Sequence, residues 1–190
     1  MRLRTHIYSV LALVGASHAL AGEPTANDWG PVTNNAQMAI SVTSSWSRSF
    51  VVDTNVQPPQ FKVKREIKVG EPFSLLVRVR NLSTNETLSC YNAWEPNTDL
   101  EVGLACEVIS PSGKDLSPSR RIAGGSGNSA VARPGETTQY EFGLGWLCKL
   151  EEIGTYKITA RKRALVAPKG EKAYVLTSNT LSVSVVPGKE

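Results

Sequence analysis

The sequence predicts an all-β sandwich or barrel of about eight strands. Three observations carry that expectation. Apolar and polar residues alternate in short runs, as where Phe73, Leu75, Val77 and Val79 interleave with Ser74, Leu76, Arg78 and Arg80. A period of two places one set on each face of a strand. Turn formers recur at short spacing, in Val69-Gly70-Glu71-Pro72, Pro111-Ser112-Gly113-Lys114 and Pro134-Gly135-Glu136. Nowhere does a 3.6-residue apolar period persist for three turns, so no amphipathic helix of ordinary length is indicated.

The chain opens with Arg2 and Arg4, then a short apolar run from Ile7 to Ala16, then Ser17-His18-Ala19-Leu20-Ala21. A basic start, an apolar middle and an A-x-A ending are the marks of a secretory signal, with cleavage expected after Ala21. The run is too short to span a bilayer, which takes about 20 residues. No later stretch is long and apolar enough to be a transmembrane helix. The expected product is a secreted or periplasmic protein, soluble once the signal is gone. Residues 22–60 follow as a turn-rich extension with one or two short strands, at Gln37–Val42 and Ser49–Val52. Pro58-Pro59 closes it and blocks a helix.

Residues 61–187 form the main domain. Phe61 to Lys68 alternates partly, and Phe73 to Arg80 alternates cleanly. Asn81 to Glu86 is a turn, and Thr87 to Tyr91 is a short strand. Val102, Leu104, Cys106 and Val108 alternate with Gly103, Ala105, Glu107 and Ile109. Gly124-Gly125-Ser126-Gly127-Asn128 is too costly to order in a regular element. Tyr140, Phe142 and Leu144 make an inward row. Tyr156 to Ala160 is a strand. Arg161-Lys162-Arg163 through Lys172 reads as a basic hairpin tip, leading to a strand at Ala173–Leu176. Leu181, Val183 and Val185 alternate with serines in the last strand.

Gly154-Thr155-Tyr156-Lys157-Ile158-Thr159-Ala160 resembles the late strand of immunoglobulin-like and fibronectin-like sandwiches. In those a tyrosine just after a turn caps the corner between two strands through its hydroxyl. Tyr156 is the matching residue. Val69-Gly70-Glu71-Pro72-Phe73, followed by Val77-Arg78-Val79-Arg80-Asn81-Leu82-Ser83, resembles the opening hairpin of bacterial secreted Ig-like domains, including those of BsuPI-type proteinase inhibitors. The Pro134-Gly135-Glu136 turn fits the same layout. The resemblance covers about residues 61–187 and implies an antiparallel Ig-like sandwich. It implies proteinase inhibition only as a carried-over option, since no reactive-site residue maps.

Composition removes several functions. The formal net charge is +4. Loss of Arg2 and Arg4 leaves 19 basic against 17 acidic residues, a balance that does not suggest a nucleic-acid partner. Both histidines, His6 and His18, lie in the signal. Histidine is the usual general base near neutral pH. Ser-His-Asp triads are therefore excluded from the mature chain, and carboxylate or Ser-Lys chemistry is all that survives. The four aspartates, Asp28, Asp53, Asp99 and Asp115, stand apart beside turn residues. Glu95, Glu101, Glu107 and Glu141 are better read as surface charge than as a glycosidase pair. The expectation is no catalytic residue, no cofactor and no metal site.

The three cysteines are Cys90, Cys106 and Cys148. Export permits oxidation, and an odd count leaves one thiol over. Cys90 ends one strand and Cys106 sits inward on another, so a Cys90–Cys106 disulfide is the favoured pair. It would close a loop of about 17 residues and stabilise by about 3 kcal/mol. Cys148 then stays a buried thiol, or pairs with either partner or with another molecule. A zinc centre needs four well-spaced ligands, which three scattered cysteines do not supply.

The connection after Cys90 carries Tyr91, Trp94 and Glu95, the candidate binding loop. Aromatics in sandwich-end loops often contact ligands. The more ordinary reading is that Trp94 folds back as a plug. Trp46 has the same ambiguity, and Trp146 reads as packing. The basic cluster Lys157, Arg161, Lys162, Arg163, Lys169 and Lys172 could meet an anionic surface such as phospholipid or polyanionic glycan, though a solubilising, edge-protecting role is commoner. Asn81-Leu82-Ser83 and Asn85-Glu86-Thr87 fit the N-glycosylation pattern and matter only in a eukaryotic source. The leading expectation is a non-catalytic secreted module binding a protein or glycan. Its alternatives are a secreted inhibitor of a hydrolase, using 91–101 or 123–130, and an enzyme with a carboxylate site.

Overall fold

The computed structural model describes residues 28–43, 63–90, 104–118, 130–167 and 172–188. The expected signal, the Ser49–Val52 strand, Trp46, the Gly124–Asn128 stretch and the 168–171 tip lie outside the described residues. So does the side chain of Trp146.

Two sheets pack as a sandwich. The described strands are β1 (Ala36–Thr43), β2 (Val63–Lys64), β3 (Glu66–Lys68), β4 (Ser74–Asn81), β5 (Thr87–Cys90), β6 (Leu104–Ile109), β7 (Ala130–Ala132), β8 (Thr137–Phe142), β9 (Gly154–Ala167), β10 (Ala173–Thr177) and β11 (Leu181–Val186). The first sheet runs β2-β1-β4-β8. The second runs β3-β11-β9-β5-β7, with β10 and β6 also paired to β9.

Eleven described strands replace the expected eight or so, and one cause is Arg65. The 61–68 stretch is not one strand. It bends at Arg65, so that β2 pairs with β1 in the first sheet and β3 with β11 in the second. The chain crosses between layers here instead of turning back, and β3 therefore runs parallel to β11. A tight hairpin can join only antiparallel strands. The sandwich is thus antiparallel except at this pair.

The core follows the period of two. Met38, Ile40 and Val42 of β1, and Leu75, Val77 and Val79 of β4, are buried. They face Tyr156, Ile158, Ala160 and Ala164 of β9 and Val183 and Val185 of β11 in one cluster. Each buried Val, Leu or Ile contributes about 1.5–3 kcal/mol relative to exposure. Leu76 and Ser74, on the opposite face of β4, are also fully buried. The alternation therefore marks this strand's two faces but not a wet side and a dry one.

β9 is the spine, and it corrects the reading of 161–167. The strand runs on through Arg161-Lys162-Arg163 to Ala167. On one edge it pairs with β11 over 154–158 and with β10 over 161–165. On the other it pairs with β6 over 157–162 and with β5 over 165–167. Four short strands share one long one, two per edge.

Polar staples close the ends. The Glu152 N–H donates to the Tyr156 hydroxyl at 2.8 Å, pinning the turn into β9. Asn81 is fully buried. Its Nδ2 donates to the carbonyls of Glu86 and Ala132, at 2.7 and 3.0 Å, and its Oδ1 accepts from Ser83 N–H at 3.0 Å. Asn179 Oδ1 accepts from Ile40 N–H at 2.9 Å, so a side-chain amide fills a gap on the edge of β1. Gly30 lies so close to β10 that an added Cβ would stand 2.2 Å from the Thr177 carbonyl oxygen. Gly135, at φ +77°, makes the Pro134-Gly135-Glu136 turn, where a residue with a Cβ would be strained.

Candidate binding site

Three strand ends define one place in the fold. Cys90, the last residue of β5, lies opposite Ala130, the first residue of β7. Leu104, the first residue of β6, lies opposite Lys162 of β9. Segment 91–103 thus leaves and rejoins the second sheet beside Lys162, and segment 119–129 rejoins it across from Cys90. Arg163 and Ala164 of β9 fall between the β6 and β5 pairings. Tyr91, Trp94 and Glu95, named from the sequence, lie outside the described residues, and only the roots of their loop are placed.

Beneath those roots sits a group that sequence reading missed. Lys162 is 1 % exposed. It shares the inward face of β9 with Ile158, Ala160 and Ala164, not the outward face with Arg161 and Arg163. Its Nζ stands 4.9 Å from the centre of the Tyr140 ring, on β8 of the opposite sheet. A cation over an aromatic face is attracted by the ring quadrupole. The contact spans the interior and ties the two sheets together. The Tyr140 hydroxyl is buried and has no hydrogen-bond partner. One signal was available: Lys162 is in phase with Tyr156, Ile158, Ala160 and Ala164, and small neighbours leave room for its stem.

Burial governs the electrostatics. It holds the Lys162 amine below its ordinary range, with a smaller opposing effect from Cys90. It pushes the Cys90 thiol up to about 11 and the Cys106 thiol up to about 12. It raises Cys148 as well, and lifts the Tyr140 hydroxyl well above 10. Thiols in this state are un-ionised near neutral pH, and the thiolate is the nucleophile. Among the described residues, no three His, Cys, Asp or Glu side chains are grouped to hold a metal ion.

The Cys90–Cys106 disulfide expected from the sequence is not formed; all three cysteines are free. The reason is register. Both strands lie on the same edge of β9, but end to end. Cys106 is opposite Ala160, while Ser89 is opposite Leu165, which sets Cys90 level with Ala164. Four residues along a strand is about 13 Å, and a disulfide needs Cα atoms within about 7 Å. Alkylation by iodoacetamide at pH 8 is therefore expected to be slow for Cys90 and Cys106 in the native protein. It should speed up sharply in 6–8 M urea, a range in which domains of this kind unfold. Rapid native labelling of either, or a Cys90–Cys106 peptide in a non-reducing digest, contradicts this placement.

No family model matches the chain, and no curated protein matches it. Solved structures do resemble it. A structural-genomics target is 11% identical, with 82% of this chain and 90% of that chain covered, at a TM-score of 0.47. The C-terminal domain of Wzt is 8% identical, covering 83% and 77%, at 0.44. A Bordetella pertussis protein described as ApaA is 15% identical, covering 82% and 98%, also at 0.44.

Proposed function

We propose that the chain is exported, loses residues 1–21, and acts as a non-catalytic binding or scaffolding module of the envelope or extracellular space. Its contact surface is the pair of segments 91–103 and 119–129. The observation that supports this most is the pairing of Cys90 with Ala130, which roots both segments at one point on a rigid frame. Loops positioned by a rigid scaffold are where such folds carry recognition. Tyr91, Trp94 and Glu95 supply aromatic area and a charge on one of the two. Aromatic side chains dominate the energetics of protein interfaces.

The frame is read as Ig-like, supported by the Tyr156 hydroxyl at the start of β9. A secreted hydrolase inhibitor is the second reading. Two loops rooted together would suit an inhibitor equally well. Both readings predict that residues 22–190 used as bait will capture a component of the producing organism's envelope or medium. Trp94→Ala should lower that capture at least tenfold, the loss of a ~1.4 kcal/mol contact. A captured proteinase or other hydrolase selects the inhibitor. Capture that both Trp94→Ala and Tyr91→Ala leave unchanged removes the loop pair as the site.

A further inference from the structure

The outward face of β9 holds a second surface, independent of the loop pair. Because β9 continues through the basic stretch, alternate residues fall in line: Lys157, Thr159, Arg161 and Arg163 all point away from the core. Cross-strand partners complete the face. Lys157 lies between Ile109 and Ser182, Arg161 between Ala105 and Thr177, and Arg163 beside Val175. Strand geometry spaces Lys157 and Arg161 by about 13 Å and Arg161 and Arg163 by about 7 Å. Lys157 and Arg161 are exposed. Among the described residues, neither takes part in an ion pair. Two carboxylates border the row: Glu107, opposite Thr159 and diagonal to both cations, and Asp115, across Ile109 from Lys157.

We propose that this face binds an acidic polysaccharide, with Lys157, Arg161 and Arg163 meeting its anionic groups. The hydroxyls of Thr159, Thr177 and Ser182 stand between and beside the cations, where they can bond to sugar hydroxyls. A membrane fits less well. Interfacial binders bury aromatic and large aliphatic residues beside their basic ones; among the described residues, the exposed large apolar residues on this face are two valines, Val131 and Val175, and none is aromatic. The row is built on the central strand of the second sheet, so its spacing is fixed before any ligand arrives, which lowers the entropic cost of binding.

Binding to a dextran sulfate matrix in low salt tests this. The double variant K157S/R161S should bind about tenfold more weakly, as expected for two exposed ionic contacts. The control double variant R133S/K149S removes the same charge from exposed sites away from this face and should change affinity less than twofold. E107Q, which removes the opposing carboxylate, should bind more tightly than the parent chain. Melting curves matching the parent show that each variant is folded. Equal losses in the two double variants, or no gain with E107Q, overturn the proposal. So does tighter binding of the parent chain to phosphatidylglycerol vesicles, lost in K157S/R161S.

Discussion

Replacing Lys162 with aspartate is expected to destabilise the fold by about 4 kcal/mol. Two effects add. The lysine stem fills interior space between Ala160 and Ala164, and its loss opens a cavity. The new carboxylate is held in apolar surroundings opposite the Tyr140 ring, and burying such a group is costly. Lys162→Met keeps most of the stem and drops the charge. At pH 7 it should stay within about 1 kcal/mol of the parent chain, because an apolar replacement of similar volume forfeits the contact with the Tyr140 ring but avoids desolvation of a charge. The two chains should then diverge with pH. Burial depresses the folded-state pKa of Lys162 below its ordinary value of 10.5. Between the depressed value and 10.5, the unfolded chain binds more protons than the folded one, and stability contributed by this group rises with pH. The parent chain should therefore gain on Lys162→Met as pH climbs from 7 towards 10.5. Urea unfolding at several pH values reads both effects. A parent chain that loses ground to Lys162→Met over that range contradicts a buried, desolvated amine.

Asn81→Ala is expected to cost about 3 kcal/mol. Asn81 makes three side-chain hydrogen bonds to backbone groups, joining the end of β4 to the turn before β5 and to β7. Its removal leaves two carbonyls and one N–H without those partners, and an unsatisfied buried group costs about 1–3 kcal/mol. Neighbouring Leu82 is exposed, so Leu82→Ser should change stability by less than about 0.5 kcal/mol. Equal effects at the two positions would show that the turn is held by something other than the amide. The buried amide also explains the sequence around it. Asn81-Leu82-Ser83 reads as a glycan acceptor pattern, while in the fold Asn81 is a structural bracket.

The elements legible in the sequence are those where side-chain alternation and solvent exposure agree. β11 is the clear case: Val183 and Val185 are buried, with Ser182 and Ser184 exposed between them. β9 was legible only to Ala160, because a run of three basic residues ordinarily marks solvent. The inward position of Lys162 depends on the Tyr140 ring across the sandwich, a contact between residues 22 apart in the chain that no local pattern carries. The split at Arg65 was hidden for a similar reason, since both halves alternate and only the choice of partner sheet separates them. The disulfide expectation failed on register. Cys90 and Cys106 each occupy an inward position, yet inwardness says nothing about height along β9. The roots of the candidate loop came from strand pairing alone, and the aromatic residues within it came from the sequence alone.

The proposed recognition surface is the pair of segments rooted at Cys90, Leu104 and Ala130. Site-specific photocrosslinking tests it most directly. A photoreactive residue is placed at Trp94, at Ser126, or at Gln139 on the outer face of the first sheet, and each chain is exposed to the envelope fraction and medium of the producing organism. Crosslinks to one common component from Trp94 and Ser126, with little from Gln139, are the predicted result. A component crosslinked from Gln139 and from neither loop would contradict this assignment.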